Sequence, residues 1–182
     1  MNNVTNDLIE EHRGIALMLN IMGKVAKRLR RGERVEKEHL NKIVEFLMNF
    51  ADKCHHGKEE GILFPELFKN ASNQKMINDL LGEHQAGRDY IRGIADSAAR
   101  YEPGNPDAVH IAVNAEGYAR LLIEHIKKEN TILFPIADQE LSEQTLKEME
   151  GRFKKLELEV IGAGKHEEYH GWLKELRSAY QK

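Results

Sequence analysis

The sequence is short of cysteine. Cys54 is the only one among 182 residues, so no disulfide can form within the chain, and a reducing compartment such as the cytoplasm is the natural setting. Proline is scarce as well, occurring at 65, 103, 106 and 135, which leaves long stretches free of helix breakers. Neither sign of charge dominates. The 27 Lys and Arg against 30 Asp and Glu give a net −3, which argues against a dedicated nucleic-acid binder. The longest uncharged run near the start, residues 14–23, is too short to span a bilayer. The first thirteen residues hold no apolar secretion signal. Membrane, nucleic acid and disulfide scaffold are therefore set aside, while 41% hydrophobic residues suffice for a sizeable core.

Leu, Glu, Lys, Ala and Ile dominate, and the apolar residues recur at helical period. Leu8, His12, Ile15, Ala16, Leu19, Met22 and Ala26 share a stripe, which predicts a helix near 6–31 with Thr5 or Asn6 as its cap. A second helix is expected over 36–68, with Ile43, Val44, Leu47, Met48, Ala51 and His55 inward. A third is expected over 74–100, with Ile77, Leu80, Leu81, His84, Ile91 and Ile94 inward. A fourth is expected over 107–138, with Tyr118, Leu121, Leu122, His125 and Ile132 inward. A fifth helical region, 142–180, is broken near Gly162 to Gly164. No window shows sustained β alternation. The expected fold is all-α: an antiparallel up-down four-helix bundle over 1–140, with a C-terminal helical segment, 141–182, packed on it.

The chain repeats itself. Residues 55–65 read HHGKEEGILFP and residues 125–135 read HIKKENTILFP. His55 aligns with His125, Glu59 with Glu129, and Ile62-Leu63-Phe64-Pro65 with Ile132-Leu133-Phe134-Pro135. Glu11-His12 stands upstream of the first copy and Glu83-His84 upstream of the second. The unit is a helix with one histidine followed by a helix with His-x-x-x-Glu, used twice, so the bundle should carry a pseudo-twofold axis.

Residues four apart stack on one helix face, so His-x-x-x-Glu offers an imidazole and a carboxylate at one level. His55 shares its stripe with Val44, Met48 and Ala51, whereas His56 shares one with Glu45, Asn49 and Asp52. His55 and Glu59 are accordingly expected inward, and His56 and Glu60 at the edge or in solvent. The same test puts His125 and Glu129 inward. Burying His12, His55, Glu59, His84, His125 and Glu129 without partners would cost several kcal/mol each, and a metal supplies the counter-charge. Four imidazoles and two carboxylates without a thiolate do not suit a structural zinc site. Divided by the twofold, they suit two ions about 3.5–4 Å apart, bridged by both carboxylates. Iron fits best, with manganese or a mixed pair as alternatives, and a solvent-derived oxo or hydroxo bridge would leave a position for an outside ligand.

These residues resemble the hemerythrin-like (HHE, cation-binding) domains, a non-haem di-iron bundle family, over about residues 6–138. The resemblance implies that His12, His55, Glu59, His84, His125 and Glu129 carry the metal pair. It also implies that the partner is a small ligand such as O2, NO or peroxide. Oxygen-carrying hemerythrins resemble a variant with His-x-x-x-His on the third helix and a His…Asp pair on the fourth. Here Arg88 stands four after His84 and Glu129 closes the fourth-helix pair. The symmetric form is more similar to the di-iron proteins of iron–sulfur-cluster repair. The functions it implies are binding or sensing of the small ligand, or alternatively cluster repair, iron donation, or peroxide or NO reduction.

Beyond the repeat, His166-Glu167-Glu168-Tyr169-His170 matches H-E-x-x-H, but no sheet is expected to support a metalloprotease site. His166 and His170 could instead fill a vacant position on an ion of the pair, form a separate metal site, or sit half-exposed on a closing helix packed through Trp172, Leu173 and Leu176. Tyr118 lies two turns before His125, where its hydroxyl either meets an oxygen species at the centre or is satisfied within the core. Cys54, beside His55, reads as a small buried hydrophobe rather than a redox sensor, Met18, Met22 and Met48 as core filling, and Glu11 and Glu83 as outer partners of the centre or solvent-facing residues.

Overall fold

The computed structural model describes residues 3–181, and every regular element among them is helical. We label the helices α1 (Asn3–Arg30), α2 (37–67), α3 (Gln74–Arg100), α4 (106–140), α5 (Glu143–Val160) and α6 (Lys165–Tyr180). Basic Lys27, Arg28 and Arg30 end α1, where they meet the partial negative charge of the free carbonyls. The start of α1 lies earlier than expected. Thr5 is no cap but a buried helical residue whose hydroxyl donates to Asp138 at 2.8 Å. The break between α5 and α6 falls where it was expected, because Gly162 and Gly164 adopt φ of +85° and +80°, a region other residues rarely enter.

Two helices depart from α geometry. In α2 the hydrogen bonding is π-type over Phe46–His56 and Glu59–Leu63, and in α4 over Glu129–Leu133. An i→i+5 turn takes roughly one more residue to return to the same face, so an α-period reading drifts there. Met48, expected inward, is 39% exposed, because Phe46, Leu47 and Phe50 occupy the inner face of this stretch. Ile132, also expected inward, is 48% exposed, although its repeat partner Ile62 is buried. The cause is local covering. α5 packs along the α2 side, where Ile62 joins Leu146, Met149 and Phe153, and no described helix packs in the same way beside Ile132. Ala16 likewise proves to be exposed.

α3 lies along α4, α1 along α4, and α2 meets α3. The apolar interior falls into two clusters. One gathers Ile15, Met22, Leu47, Ile91, Ile111 and Leu122 with their neighbours, and α6 closes it through Tyr169, Leu173, Leu176 and Tyr180. The other gathers Leu8, Leu63, Phe64, Leu80, Leu133 and Phe134, with α5 on its flank. On each inner helix the seam between clusters is held by a polar residue. His12 stands between Leu8 and Ile15, His55 between Ala51 and Ile62, His84 between Leu80 and Ile91, and His125 between Leu122 and Leu133. Among the described residues no helix is long and apolar enough to cross a membrane.

Candidate metal centre

At this seam seven ionisable side chains meet: His12 from α1, His55, His56 and Glu59 from α2, His84 from α3, and His125 and Glu129 from α4. All are buried, both carboxylates completely. Their ligand atoms form two overlapping groups, His12–His55–Glu59–Glu129 and His56–Glu59–His84–His125, each within 4.8 Å across. Glu59 belongs to both groups, lying 3.5 Å from His55 Nε2 and 3.5 Å from His84 Nε2. Glu129 also reaches imidazoles of both, 3.3 Å from His12 Nε2 and 3.1 Å from His125 Nε2. Each carboxylate thus stands between the two clusters, the arrangement a bridging ligand needs.

The outer layer sets the tautomers. His55 Nδ1 donates to Glu11 Oε2 at 2.8 Å, and His125 Nδ1 to Glu83 Oε2 at 2.9 Å. His12 Nδ1 donates to Asn130 Oδ1 at 2.8 Å, and His84 Nδ1 to Glu60 Oε1 at 2.7 Å. His56 Nδ1 faces Asp52 Oδ1 at 3.4 Å. Carboxylate and amide oxygens only accept, so each Nδ1 carries the proton of its bond and each Nε2 faces inward, where a cation would find its lone pair. The layer obeys the repeat. Glu11 and Glu83 also bind Lys58 and Lys128, and the matched positions Glu60 and Asn130 each cross to the lone histidine of the other half. The Leu-Phe-Pro tails cross as well, with Phe64 stacked on His84 at 5.6 Å and Phe134 on His12 at 5.5 Å.

Inward, the accounting fails without a cation. His12 Nε2, His56 Nε2 and all four oxygens of Glu59 and Glu129 are buried without a hydrogen bond. His84 Nε2 and His125 Nε2 face each other at 3.0 Å, close enough to share one proton or one cation. Burial, with Glu129 beside it, pushes the Glu59 carboxyl far above the usual range. For Glu129 burial pulls the same way, but His125 and His12 outweigh it and hold that carboxyl low. Burial depresses His55 to about 4 and His56 well below its ordinary value. Glu11, opposed by burial but held by His55 and Lys58, falls to about 2. Five imidazoles aimed at two crowded carboxylates form a mixed N/O donor set without thiolate, which fits first-row divalent or trivalent cations.

All six residues expected to converge do so. The seventh, His56, corrects the expectation that it lies at the edge: it is 1% exposed and stacks on His84 with ring centroids 3.8 Å apart. The i→i+5 turn places it on the face of buried Ala51, a shift that α periodicity could not register. The repeat also hid it, because Ile126 holds the matching position. Arg88 contributes no ligand. It pairs instead with Asp52 at 2.8 Å and Glu60 at 2.6 Å, the acceptors of His56 and His84. Glu60 stays at the half-buried edge. His166 and His170 line a separate cleft of about 370 Å³ between α6 and the first two helices, with Asp7, Glu10 and Glu11. The Tyr118 hydroxyl is buried without a partner, contrary to a satisfied core tyrosine. Cys54 is buried as expected, its thiol pushed by burial to about 12.

The profile of the hemerythrin HHE cation-binding domain matches residues 3–137. The chain belongs to that family. Uncharacterized proteins of Mycobacterium bovis and of two strains of Mycobacterium tuberculosis are each 25% identical over 151 residues, 81% of this chain. The chain spans 58% of the length of these relatives. No solved structure matches it. As a hemerythrin HHE domain it is a cation-binding protein, and its His/Glu groups could hold the metal.

Proposed function

We propose that this hemerythrin-like chain holds two iron ions and binds or senses a small ligand such as O2 or NO in the cytoplasm. Manganese or a mixed pair is the alternative loading. The bundle is read as antiparallel and up-down over residues 1–140, because α3 and α4 lie along each other across a connection of a few residues. Residues 141–182 are read as a helical extension. One observation carries the proposal: all five buried imidazoles engage acceptors through Nδ1 and leave Nε2 for the centre. His12 and His55 would hold one ion, and His56, His84 and His125 the other, with Glu59 and Glu129 shared.

When bound, the ions supply Lewis acidity and reversible redox chemistry. The chain's own residues do the rest. Glu11, Glu83, Glu60, Asp52 and Asn130 orient the imidazoles and raise their basicity. Phe64 and Phe134 wall the seam on one side and Leu122 lies on the other, keeping bulk water out. The test is anaerobic iron loading, elemental analysis, and optical spectra with O2, NO and peroxide. About two irons per chain and reversible ligand bands are expected. Failure to retain iron overturns the reading. Sustained consumption of peroxide or NO would replace binding with turnover.

A further inference from the structure

Asp52, His56 and Glu60 follow one another at intervals of four on α2, and all three meet α3, where Arg88 follows His84 at the same interval. His56 stacks on His84 with ring centroids 3.8 Å apart. Arg88 Nε donates to Asp52 Oδ1 at 2.8 Å, and Arg88 Nη2 to Glu60 Oε1 at 2.6 Å. These are the same oxygens that the imidazoles use. Asp52 Oδ1 faces His56 Nδ1 at 3.4 Å, and Glu60 Oε1 accepts from His84 Nδ1 at 2.7 Å. Each oxygen therefore meets one imidazole and one arm of a single guanidinium. A guanidinium is planar and presents its N–H groups at fixed spacing, so it sets the separation of the two oxygens it grips. Without it, Asp52 and Glu60, 21% and 28% exposed, are free to turn to water.

The other half lacks the whole set. Extending the alignment of the two copies pairs Asp52 with Leu122, His56 with Ile126 and Glu60 with Asn130, and the lone histidines pair Arg88 with Ala16. Four departures from the repeat thus fall on residues that form one network. Lys58 and Lys128 obey the repeat, and each grips the carboxylate of one histidine, whereas Arg88 grips those of two. We propose that Arg88 is a positioning residue for the His56–His84–His125 side of the centre, holding Asp52 and Glu60 on two ligand imidazoles and so strengthening the binding of one ion and not the other. This rests on the metal-binding reading above. The stacking of His56 and Phe64 on His84 orders ring planes but gives no Nδ1 an acceptor, so the clamp has a task that packing does not perform.

Ferrous iron is the probe, loaded without oxygen into full-length wild type, Arg88→Met and Arg88→Lys. Stepwise titration reads the affinity of each ion. Proton NMR in H2O and D2O reads the exchangeable imidazole N–H signals that the iron shifts. In Arg88→Met one of the two ions should bind about tenfold more weakly. Two N–H signals should exchange faster with water while the rest keep their wild-type rates. Arg88→Lys should recover part of both effects, since an ammonium lacks the fork that holds two carboxylates at once. It also keeps the test open if Arg88→Met does not fold, as read by urea unfolding of the ion-free proteins. Wild-type affinities with unchanged exchange overturn the proposal. So does an equal weakening of both ions with faster exchange at every imidazole, which would make Arg88 a general support of the fold. A wild type that holds no iron overturns the metal reading itself, which separates the two failures.

Discussion

His55 and His56 are neighbours in the chain and lie in the same pocket, yet they stand there for different reasons. His55 follows the repeat, whereas His56 arrives through a widened helical turn and has Asp52 as its acceptor. If both serve the centre, His56→Ala lowers metal content to about one ion per chain, as read by elemental analysis. Full retention of both ions would return His56 to a packing role. Glu11 and Glu83 are equivalent by the repeat but unequal in surroundings. Glu11 and its partner Lys58 are buried, with Glu157 of α5 closing on Lys58, whereas Lys128 beside Glu83 is 40% exposed. Glu11→Gln leaves a buried ammonium short of a counter-charge and should cost about 3–5 kcal/mol in urea unfolding of the ion-free protein. Glu83→Gln should cost clearly less, because water can take over. Each should weaken metal binding about 10- to 100-fold. Equal losses of stability for the two variants would contradict this difference in burial.

At the scale of elements, the placing of the helices was legible from apolar period, basic ends and glycine breaks, and the observed ranges lie within a few residues of the expected ones. The π segments were not legible, since no composition signal separates them from α-helix, and they account for the misjudged His56. Ile132 shows a different limit: its exposure depends on where α5 lies, not on its own helix. The last helix is tied down by Tyr180, whose hydroxyl meets His39 Nδ1 at 2.9 Å. Burial pushes the Tyr180 phenol from 10 to about 12. Because the folded value lies above the unfolded one, its contribution is complete below pH 10 and is lost as pH rises from there toward about 12. Urea midpoints between pH 8 and 11.5 should fall at the alkaline end, and Tyr180→Phe should flatten that fall. A variant with an undiminished alkaline loss would place the titration elsewhere.

Across the whole molecule, the polar seam divides two apolar clusters, so a cation there joins the halves as well as serving chemistry. Ion-free protein must keep two adjacent buried carboxylates and the Nε2 atoms of His12 and His56 without hydrogen bonds, which makes the seam the weakest level of the fold. Chelation should therefore lower the unfolding temperature, and returning metal should restore it. The gain grows with free ion and reaches about 2.7 kcal/mol at one hundred times Kd. Calorimetry with and without chelator checks this, and identical curves would mean that the seam is satisfied without ions. The C-terminal helices seal the Lys58 side, and no described helix does the same for the Lys128 side. The twofold symmetry of the ligands is thus not a symmetry of access.

Spacing and repetition in the sequence were sufficient for six of the seven inward groups. Residues four apart on a helix, and copies of one unit, share faces whatever the surrounding fold. Contacts between elements were a matter of tertiary structure alone. The pairing of Asn130 with His12 and Glu60 with His84, the entry of His56 and the unpartnered phenol of Tyr118 all join helices distant in the chain or depend on how one turn is wound. Such relations are set by packing in three dimensions, which local periodicity does not encode.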